Sequence, residues 1–288
     1  MEASVTMRAP AKLNLTLEVL ARRADRLHGI RSLMVPIDLC DELTFSPSER
    51  FSFACDDPSL QAENIAERAA QAVPRSFDRT SIALRKHIPA QAGLGGGSSD
   101  AAAVLLYAAQ RAEGGAPDIV RAARSLGSDV TFFLAQTGAL VEGVGERVTA
   151  VGALPDWHAV VVKPPVAVAT KSAYEALDEA AGSTRPRNAS LSLEALAALQ
   201  RQDFDALQAL LSNDFERVVY DLAPPCAAAR DALREAGAAH PLLAGSGSCV
   251  FALSRTARER DAIADRLDPA AGDVYRVAFA RTGIWRAA

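Results

Sequence analysis

A cluster of glycines directly ahead of a long apolar helix is the feature that most constrains this chain. Four glycines, Gly93, Gly95, Gly96 and Gly97, lie within the segment 89–102. Glycine lets the backbone approach a ligand closely and turn successive N–H groups toward it. We expect Ser98 and Ser99 to cap the helix that follows, whose N-terminal dipole favours an anion. The segment predicts a phosphate-binding loop, with a flexible turn ahead of a capped helix as the alternative.

Two familiar phosphate-binding loops do not match this segment. No lysine follows the glycines, so the GxxxxGK[ST] loop is excluded. The order Gly-Leu-Gly-Gly-Gly-Ser over residues 93–98 also departs from the dinucleotide fingerprint, because it ends in serine and lies deep in the chain. The loop therefore belongs to neither class.

The composition is that of an ordinary globular protein. The 288 residues are 49% hydrophobic and 23% charged, with a net charge of −4. This charge predicts no general attraction to nucleic acid or to anionic membranes. The apolar stretch at 101–109 is shorter than the roughly 20 residues that span a bilayer, and the N-terminus lacks a signal-peptide pattern. Four scattered cysteines indicate reduced thiols, so we expect a cytoplasmic protein.

Hydrophobic periodicity predicts strands and helices without strict alternation. Strands are predicted at 12–19, 33–39, 41–45, 81–87, 139–141, 157–162 and 249–253. Helices are predicted at 63–73, 98–113, 117–126, 173–181, 193–211 and 226–236, with Gly114 and Gly115 ending the second and a polar loop at 182–190. Pro36 indicates a sheet edge or a bulge. The mixture favours an α+β architecture, and Pro164-Pro165 suggests a division into domains 1–155 and 156–288.

Several polar residues outside the glycine loop are candidates for binding or catalysis. The first strand is expected to bury one face and to project Lys12 and Asn14 from the other, about 7 Å apart. Asp129 is a lone acid ahead of an apolar run, where a helix N-cap is the more frequent role. Lys12 alone is more often a solvated lysine, and His28, in the polar turn 22–29, is by default a surface residue. None of these residues indicates a function singly.

A second glycine segment, at 243–251, leads into a predicted strand and is weak evidence alone. Together with the other segments, however, it resembles the third of the three motifs of the GHMP kinases. Residues 10–15 resemble the first motif and residues 89–102 the second, the phosphate loop. The three occur in the family's order, and the resemblance covers essentially the whole chain.

Within that superfamily, the chain resembles the kinases of 4-diphosphocytidyl-2-C-methyl-D-erythritol. The supporting segments are 11–15, 23–28, 38–43, 127–130, 142–146 and 245–251. The resemblance implies an N-terminal domain of the ribosomal-protein-S5 type, a ferredoxin-like C-terminal domain and an active site in the cleft between them. It also implies ATP and Mg²⁺, although the sequence does not identify the Mg²⁺ ligands; Ser98, Ser99 and Asp100 are only nearby candidates.

The same resemblance implies roles for individual residues. Asp129 matches the catalytic base, and Lys12 matches the lysine that acts with it. The positions that match nucleotide-binding residues are Lys86, Pro89, Gly93, Leu94, Gly95, Gly96, Gly97, Ser98 and Ser99. The positions that match substrate-binding residues are Asn14, His28, Thr170, Tyr174, Gly245 and Ser246, with His28 facing the cytosine edge. Leu27 stands where the family commonly has an aromatic residue, which leaves Tyr174 as the candidate platform for cytosine.

Two other readings stay open at this point. The chain could be a GHMP kinase for another small alcohol, such as homoserine or a mevalonate derivative. It could also be a catalytically silent nucleotide-binding protein that regulates a partner, although such a protein has no need to keep Lys12, Asp129 and the full glycine loop together. The sequence does not predict the oligomeric state.

Overall fold

Two β-sheets with helices packed against them form the structure, a computed structural model that describes residues 3–23, 27–111, 117–180 and 190–287. The first sheet contains β1 (Val5–Arg22), β2 (His28–Pro47), β3 (Ser52–Cys55), β4 (Thr80–Arg85), β5 (Ala139–Gly143), β6 (Arg147–Ala150), β8 (Ser212–Asn213) and β12 (Trp285–Arg286). The second sheet has the order β11 (Asp273–Ala278), β7 (His158–Lys163), β10 (Val250–Ser254) and β9 (Leu242–Leu243).

The helices of the described residues lie between and after these strands. They are α1 (Ile65–Ala72), α2 (Gly96–Gln110), α3 (Ile119–Leu126), α4 (Ser128–Leu134), α5 (Thr170–Glu179), α6 (Leu191–Gln200), α7 (Phe204–Leu210), α8 (Glu216–Leu222), α9 (Pro224–Glu235) and α10 (Ala257–Ala264). Short 3₁₀ turns occur at Pro58–Leu60, Pro74–Ser76 and Pro269–Ala271. No described helix is long and apolar enough to cross a membrane.

The first strand is longer than expected and is buried on both faces, so the prediction of one exposed polar face was wrong. Met7 and Ala9 belong to a core shared with helix α2. Ala11 and Leu13 point the other way, into a second core that contains residues of the second sheet such as Val161. Both faces are covered because the strand lies between helices on one side and the second sheet on the other. The polar residues of β1 are therefore enclosed by protein.

Strand β2 runs without a break through the two strands predicted at 33–39 and 41–45. It pairs with β1 on one side and, on the other, with β5 at residues 30–34 and with β4 at residues 42–47. Pro36 lies in the gap between those two partners, where its carbonyl oxygen accepts the Ala280 N–H at 2.9 Å. A bulge is present, but two residues beyond the proline: Pro10 pairs with Cys40 while Ala11 pairs with Ile37. Lys12 pairs with Pro36 of β2, but the Lys12 N–H points away from β2 and donates to the Leu94 carbonyl oxygen, at 2.9 Å.

Two helix predictions need correction. Helix α2 starts at Gly96, and its N-cap is Gly95 with φ +73°; Ser98 and Ser99 lie inside the first turn and do not cap it. The single helix predicted at 193–211 is two helices, because Gln202 takes φ +55° and Asp203 caps α7 by accepting from the Ala206 N–H. The other predicted helices and strands are present with ends shifted by a few residues.

Three of the predictions fall on residues outside the described ranges. These are the helix stop at Gly114 and Gly115, the middle of the turn at 22–29 and most of the loop at 182–190. The division at residue 155 stays a prediction. Strands β8 and β12, which follow that position, pair with β1 in the first sheet.

Candidate active site

A cavity of about 730 Å³ opens where three segments meet: the polar segment at 10–15, the phosphate loop at 89–102 and the second glycine segment at 243–251. Most of the predicted site residues line it: Lys12, Asn14, Lys86, Pro89, Gly93, Leu94, Gly95, Gly96, Gly97, Ser98, Asp129, Thr170, Tyr174, Gly245 and Ser246. Ser99 and His28 are not on its wall. Residues from both halves of the chain therefore share one site.

Backbone contacts join the three segments around the cavity. Lys12 N–H donates to the Leu94 carbonyl, and Cys249 N–H donates to the Ala92 carbonyl at 3.1 Å. Gly93 packs so closely on the second glycine segment that a Cβ there would lie 1.9 Å from the Ala244 carbonyl oxygen. Only glycine fits at position 93, which also has φ +77°. The two glycine segments are thus parts of one structure.

The phosphate loop ends at the start of α2. Gly95, in the left-handed conformation, turns the chain into the helix, and the first-turn residues Gly96, Gly97 and Ser98 face the cavity. The N-terminal N–H groups of a 15-residue helix create a local positive potential there. Ser99 is fully buried, and its Oγ has no hydrogen-bond partner among the described residues. This arrangement suits the phosphates of a nucleotide.

Lys12 and Asp129 face each other at the cavity. Lys12 Nζ lies 3.6 Å from Asp129 Oδ2, with side chains that are 4% and 28% exposed. Burial lowers the pKa of Lys12, and the charge and hydrogen bond of Asp129 partly offset that shift. Asp129 lies in the first turn of α4, whose N-cap is Gly127, so Asp129 is not the helix cap. Lys12 is buried, so it is not a solvated lysine. A buried cation beside a partly exposed carboxylate suits proton and phosphoryl transfer.

The tip of the β5–β6 hairpin supports the helix that carries Asp129. Thr131 Oγ1 donates to the Gly145 carbonyl oxygen at 2.5 Å and lies 2.8 Å from the Ser128 carbonyl oxygen. Gly145 has φ +101°, and a Cβ there would lie 2.5 Å from the Ser128 Cβ. The hairpin thereby fixes the first turn of α4.

Asn14 belongs to a buried chain of hydrogen bonds that begins at Lys12. Lys12 Nζ donates to Asn14 Oδ1, and Asn14 Nδ2 donates to Ser32 Oγ at 2.8 Å. Ser32 Oγ in turn donates to the Thr16 carbonyl at 2.6 Å. Ser32 therefore sets which way the Asn14 amide points. Sequence reasoning missed Ser32, because its contact with Asn14 depends on the register of β1 and β2.

Lys86, which is expected to lie near the nucleotide, lines the cavity and is held by two carboxylates. Its Nζ lies 2.5 Å from Asp41 Oδ2 and 2.8 Å from Asp100 Oδ2. Asp41 Oδ1 also accepts the N–H groups of His87 and Ile88, at 2.6 and 2.8 Å. This cluster ties β2, the segment that leads to the phosphate loop and helix α2 together.

The charges in this cluster alter one another's ionisation. Burial lowers the pKa of Lys86, but the charges of Asp100 and Asp41 outweigh that effect and raise it. Burial raises the pKa of Asp100 to about 8 in spite of the nearby lysine. Two carboxylates thus share one cation. From the sequence Asp100 was only a nearby candidate for Mg²⁺ and Asp41 was not a candidate, since neither carries a recognisable spacing to Lys86.

Helix α5 and the second glycine segment bring further predicted substrate residues to the cavity. Thr170 Oγ1 and Ser246 Oγ are hydrogen-bonded at 2.9 Å, which connects α5 to the second glycine segment. The Tyr174 ring stacks on His28 with centroids 5.3 Å apart and meets the Phe215 ring edge-on at 4.9 Å. The His28 side chain is only 13% exposed, so the default reading as a surface residue was wrong. Burial and the charge of Asp129 raise the pKa of Tyr174 to about 12, so its hydroxyl stays protonated.

Comparison with known proteins decides the family. The sequence matches the GHMP kinases N terminal domain over residues 64–137 and the GHMP kinases C terminal over residues 195–274. A 4-diphosphocytidyl-2-C-methyl-D-erythritol kinase of Geobacter metallireducens is 38% identical over 268 residues, which cover 89% of this chain and 91% of that protein. A protein of the same name from Symbiobacterium thermophilum is 37% identical over 278 residues, 93% of this chain and 96% of that one. The chain belongs to this kinase family.

A solved structure supports the assignment of the 4-diphosphocytidyl-2-C-methyl-D-erythritol kinase family. The crystal structure of a 4-(cytidine 5'-diphospho)-2C-methyl-D-erythritol kinase superposes with a TM-score of 0.79 at 36% identity, covering 96% of this chain and 99% of that one. The resemblance to GHMP kinases and the α+β GHMP kinase fold predicted from it are confirmed. The chain is an ATP-dependent small-molecule kinase.

Proposed function

We propose that this kinase transfers the γ-phosphoryl group of ATP to a hydroxyl of 4-diphosphocytidyl-2-C-methyl-D-erythritol, in the non-mevalonate route to isoprenoid precursors. The observation that carries the proposal is the pairing of Lys12 with Asp129 in a cavity that also contains the glycine loop. The names of relatives that share most of their length with this chain support the substrate. The cytoplasmic location expected from the sequence is part of the proposal.

The residues of the cavity divide into three roles. The N–H groups of residues 93–98, which include the start of α2, would bind the ATP phosphates, since phosphoryl transfer depends mainly on positioning and charge neutralisation. Asp129 would accept the proton of the attacking hydroxyl. Lys12 would hold Asp129 in its ionised form and stabilise negative charge on the transferred group. Asn14, Thr170, Tyr174 and Ser246 would surround the acceptor, with His28 behind Tyr174.

Mg²⁺ fits the oxygen donors at the start of α2. No group of three or more His, Cys, Asp or Glu side chains within the described ranges could hold a metal by itself, so the nucleotide's phosphates would supply most ligands. Ser98 is the best-placed protein donor, since it lines the cavity, whereas Ser99 is fully buried and the Asp100 carboxylate is held by Lys86. When bound, Mg²⁺ would neutralise charge on the β- and γ-phosphates.

ADP release by the purified protein tests the proposal. The protein would be given ATP and Mg²⁺ with the diphosphocytidyl substrate, homoserine or mevalonate in parallel reactions. We expect turnover with the cytidine compound alone. Turnover confined to another alcohol would replace the substrate, and no turnover with any would favour a silent nucleotide-binding protein.

A further inference from the structure

Helix α5 brings an acidic side chain against the loop end of the β1–β2 hairpin. Asp178 lies one helical turn after Tyr174, on the same side of the helix. Its Oδ1 is 2.9 Å from His28 Nε2, and its Oδ2 is 3.6 Å from Arg22 Nη1. Asp178 is not among the residues to which the family resemblance assigns a role.

The contact with His28 is the stronger of the two. Arg22 and Asp178 are 54% and 37% exposed, and such pairs contribute little. The His28 side chain is 13% exposed, and Nε2 has no aligned hydrogen-bond partner among the described residues. Asp178 is therefore at ion-pair distance from a nitrogen that is removed from water. An ionised carboxylate can only accept, so it favours a hydrogen on Nε2.

His28 in turn determines where the Tyr174 ring lies. The Tyr174 ring stacks on the His28 ring. The Phe215 ring also packs against the Tyr174 ring, at an interplanar angle of 87°. Tyr174 lines the cavity, whereas His28 and Asp178 do not. His28 Nδ1 also lies 3.3 Å from the Leu20 carbonyl oxygen. A chain of contacts thus runs from Asp178 through His28 to the aromatic wall of the cavity.

We propose that Asp178 is a positioning residue for the base-binding end of the substrate site. By holding His28 against Tyr174, it sets the aromatic surface on which a pyrimidine ring would stack. The inference rests on the proposed function, because it assigns that end of the cavity to the cytidine half of the substrate. We assign Asp178 no role in phosphate binding or in the Lys12–Asp129 pair. Its replacement should therefore weaken binding of the diphosphocytidyl substrate without weakening binding of ATP.

Steady-state kinetics of Asp178→Asn test this assignment. We expect the KM for the diphosphocytidyl substrate to rise at least about fivefold, with kcat and the KM for ATP within about twofold of the wild type, as for loss of one ion-pair contact. Glu175→Gln is the matched control. It removes the same charge from the same helix at a side chain that is 59% exposed and paired with Lys171. This control should leave all three constants unchanged.

A double-mutant cycle with His28→Gln tests whether Asp178 acts through His28. In that background the additional effect of Asp178→Asn should fall below about 1.5-fold. An unchanged or lowered KM in Asp178→Asn, a parallel change in kcat and both KM values, or a full effect in the His28→Gln background would overturn the inference while the wild type remains active. Absence of wild-type turnover with the cytidine compound would instead overturn the proposed function, and this inference with it.

Discussion

Lys12 on strand β1 and Asp129 in the first turn of α4 meet with Nζ 3.6 Å from Oδ2. If Asp129 is the base, Asp129→Asn keeps the shape of the side chain but cannot take a proton. We expect kcat to fall about 10²- to 10⁴-fold, with ATP affinity nearly unchanged. Single-turnover kinetics and ATP titration would measure the two effects. Turnover close to that of the wild type would assign the base elsewhere.

The pH dependence of kcat should report on Lys12. Burial lowers its pKa below the ordinary 10.5, so the cation is lost as the pH rises through that lowered value. We expect kcat to decline on the basic side, with a midpoint below 10.5. In Lys12→Arg the guanidinium stays charged across this range, so any remaining activity should lack that decline. A decline of equal midpoint in Lys12→Arg would assign it to another group.

Gly93→Ala should break the contact between the two glycine segments. The new Cβ would lie 1.9 Å from the Ala244 carbonyl oxygen, in backbone with φ +77°. Gly152→Ala is the control, because Gly152 has φ +88° but no atom within 4 Å of the new Cβ. The control should lose about 1 kcal/mol of unfolding free energy from conformation alone. Gly93→Ala should lose at least about 2 kcal/mol more, measured by urea denaturation. Equal losses would mean that the loop shifts freely.

Removing Lys86 should destabilise the fold as well as the nucleotide site. Lys86→Met leaves Asp41 and Asp100 buried without their cation, which we expect to cost about 3 kcal/mol or more. Lys171→Met removes a lysine that is 86% exposed and should cost less than about 1 kcal/mol. Chemical denaturation compares the two. A similar loss in both variants would show that the cluster contributes little to stability.

Asp100→Asn should be far milder than Lys86→Met. Burial raises the pKa of Asp100 to about 8, so its carboxyl tends to hold a proton near neutral pH and an amide has the same shape. We expect a change within about 1 kcal/mol of unfolding free energy at pH 7, since a neutral amide replaces a carboxyl that is mainly uncharged at that pH. A loss as large as that of Lys86→Met would mean that Asp100 is needed in its charged form.

The sequence predicted the parts of the site that depend on local pattern. The cavity is lined by residues whose sequence pattern indicates them: glycines of the phosphate loop, the paired polar residues Lys12 and Asn14, and glycines of the segment at 243–251. The start of α2 was misplaced because serine is a frequent cap, whereas Gly95 reaches the left-handed conformation that this turn requires.

Residues that act through long-range packing were not predictable from pattern. Asp41 reaches Lys86 because β2 pairs with β4, and Asp178 reaches His28 because α5 packs beside the hairpin. Neither pair has a fixed sequence spacing. The burial of Lys12 was likewise missed, since alternation along β1 indicates a polar face without showing that other elements cover it.

The edge of β1 that faces away from β2 is covered at three places by distant parts of the chain. Met7 pairs with Arg286, the Lys12 N–H bonds to Leu94, and Thr16 pairs with Ser212. During synthesis the part of this edge at Met7 therefore stays unpaired until residue 286 has left the ribosome. An open edge is a template for pairing with other chains. The hazard of aggregation at β1 therefore lasts until that strand receives its final neighbour.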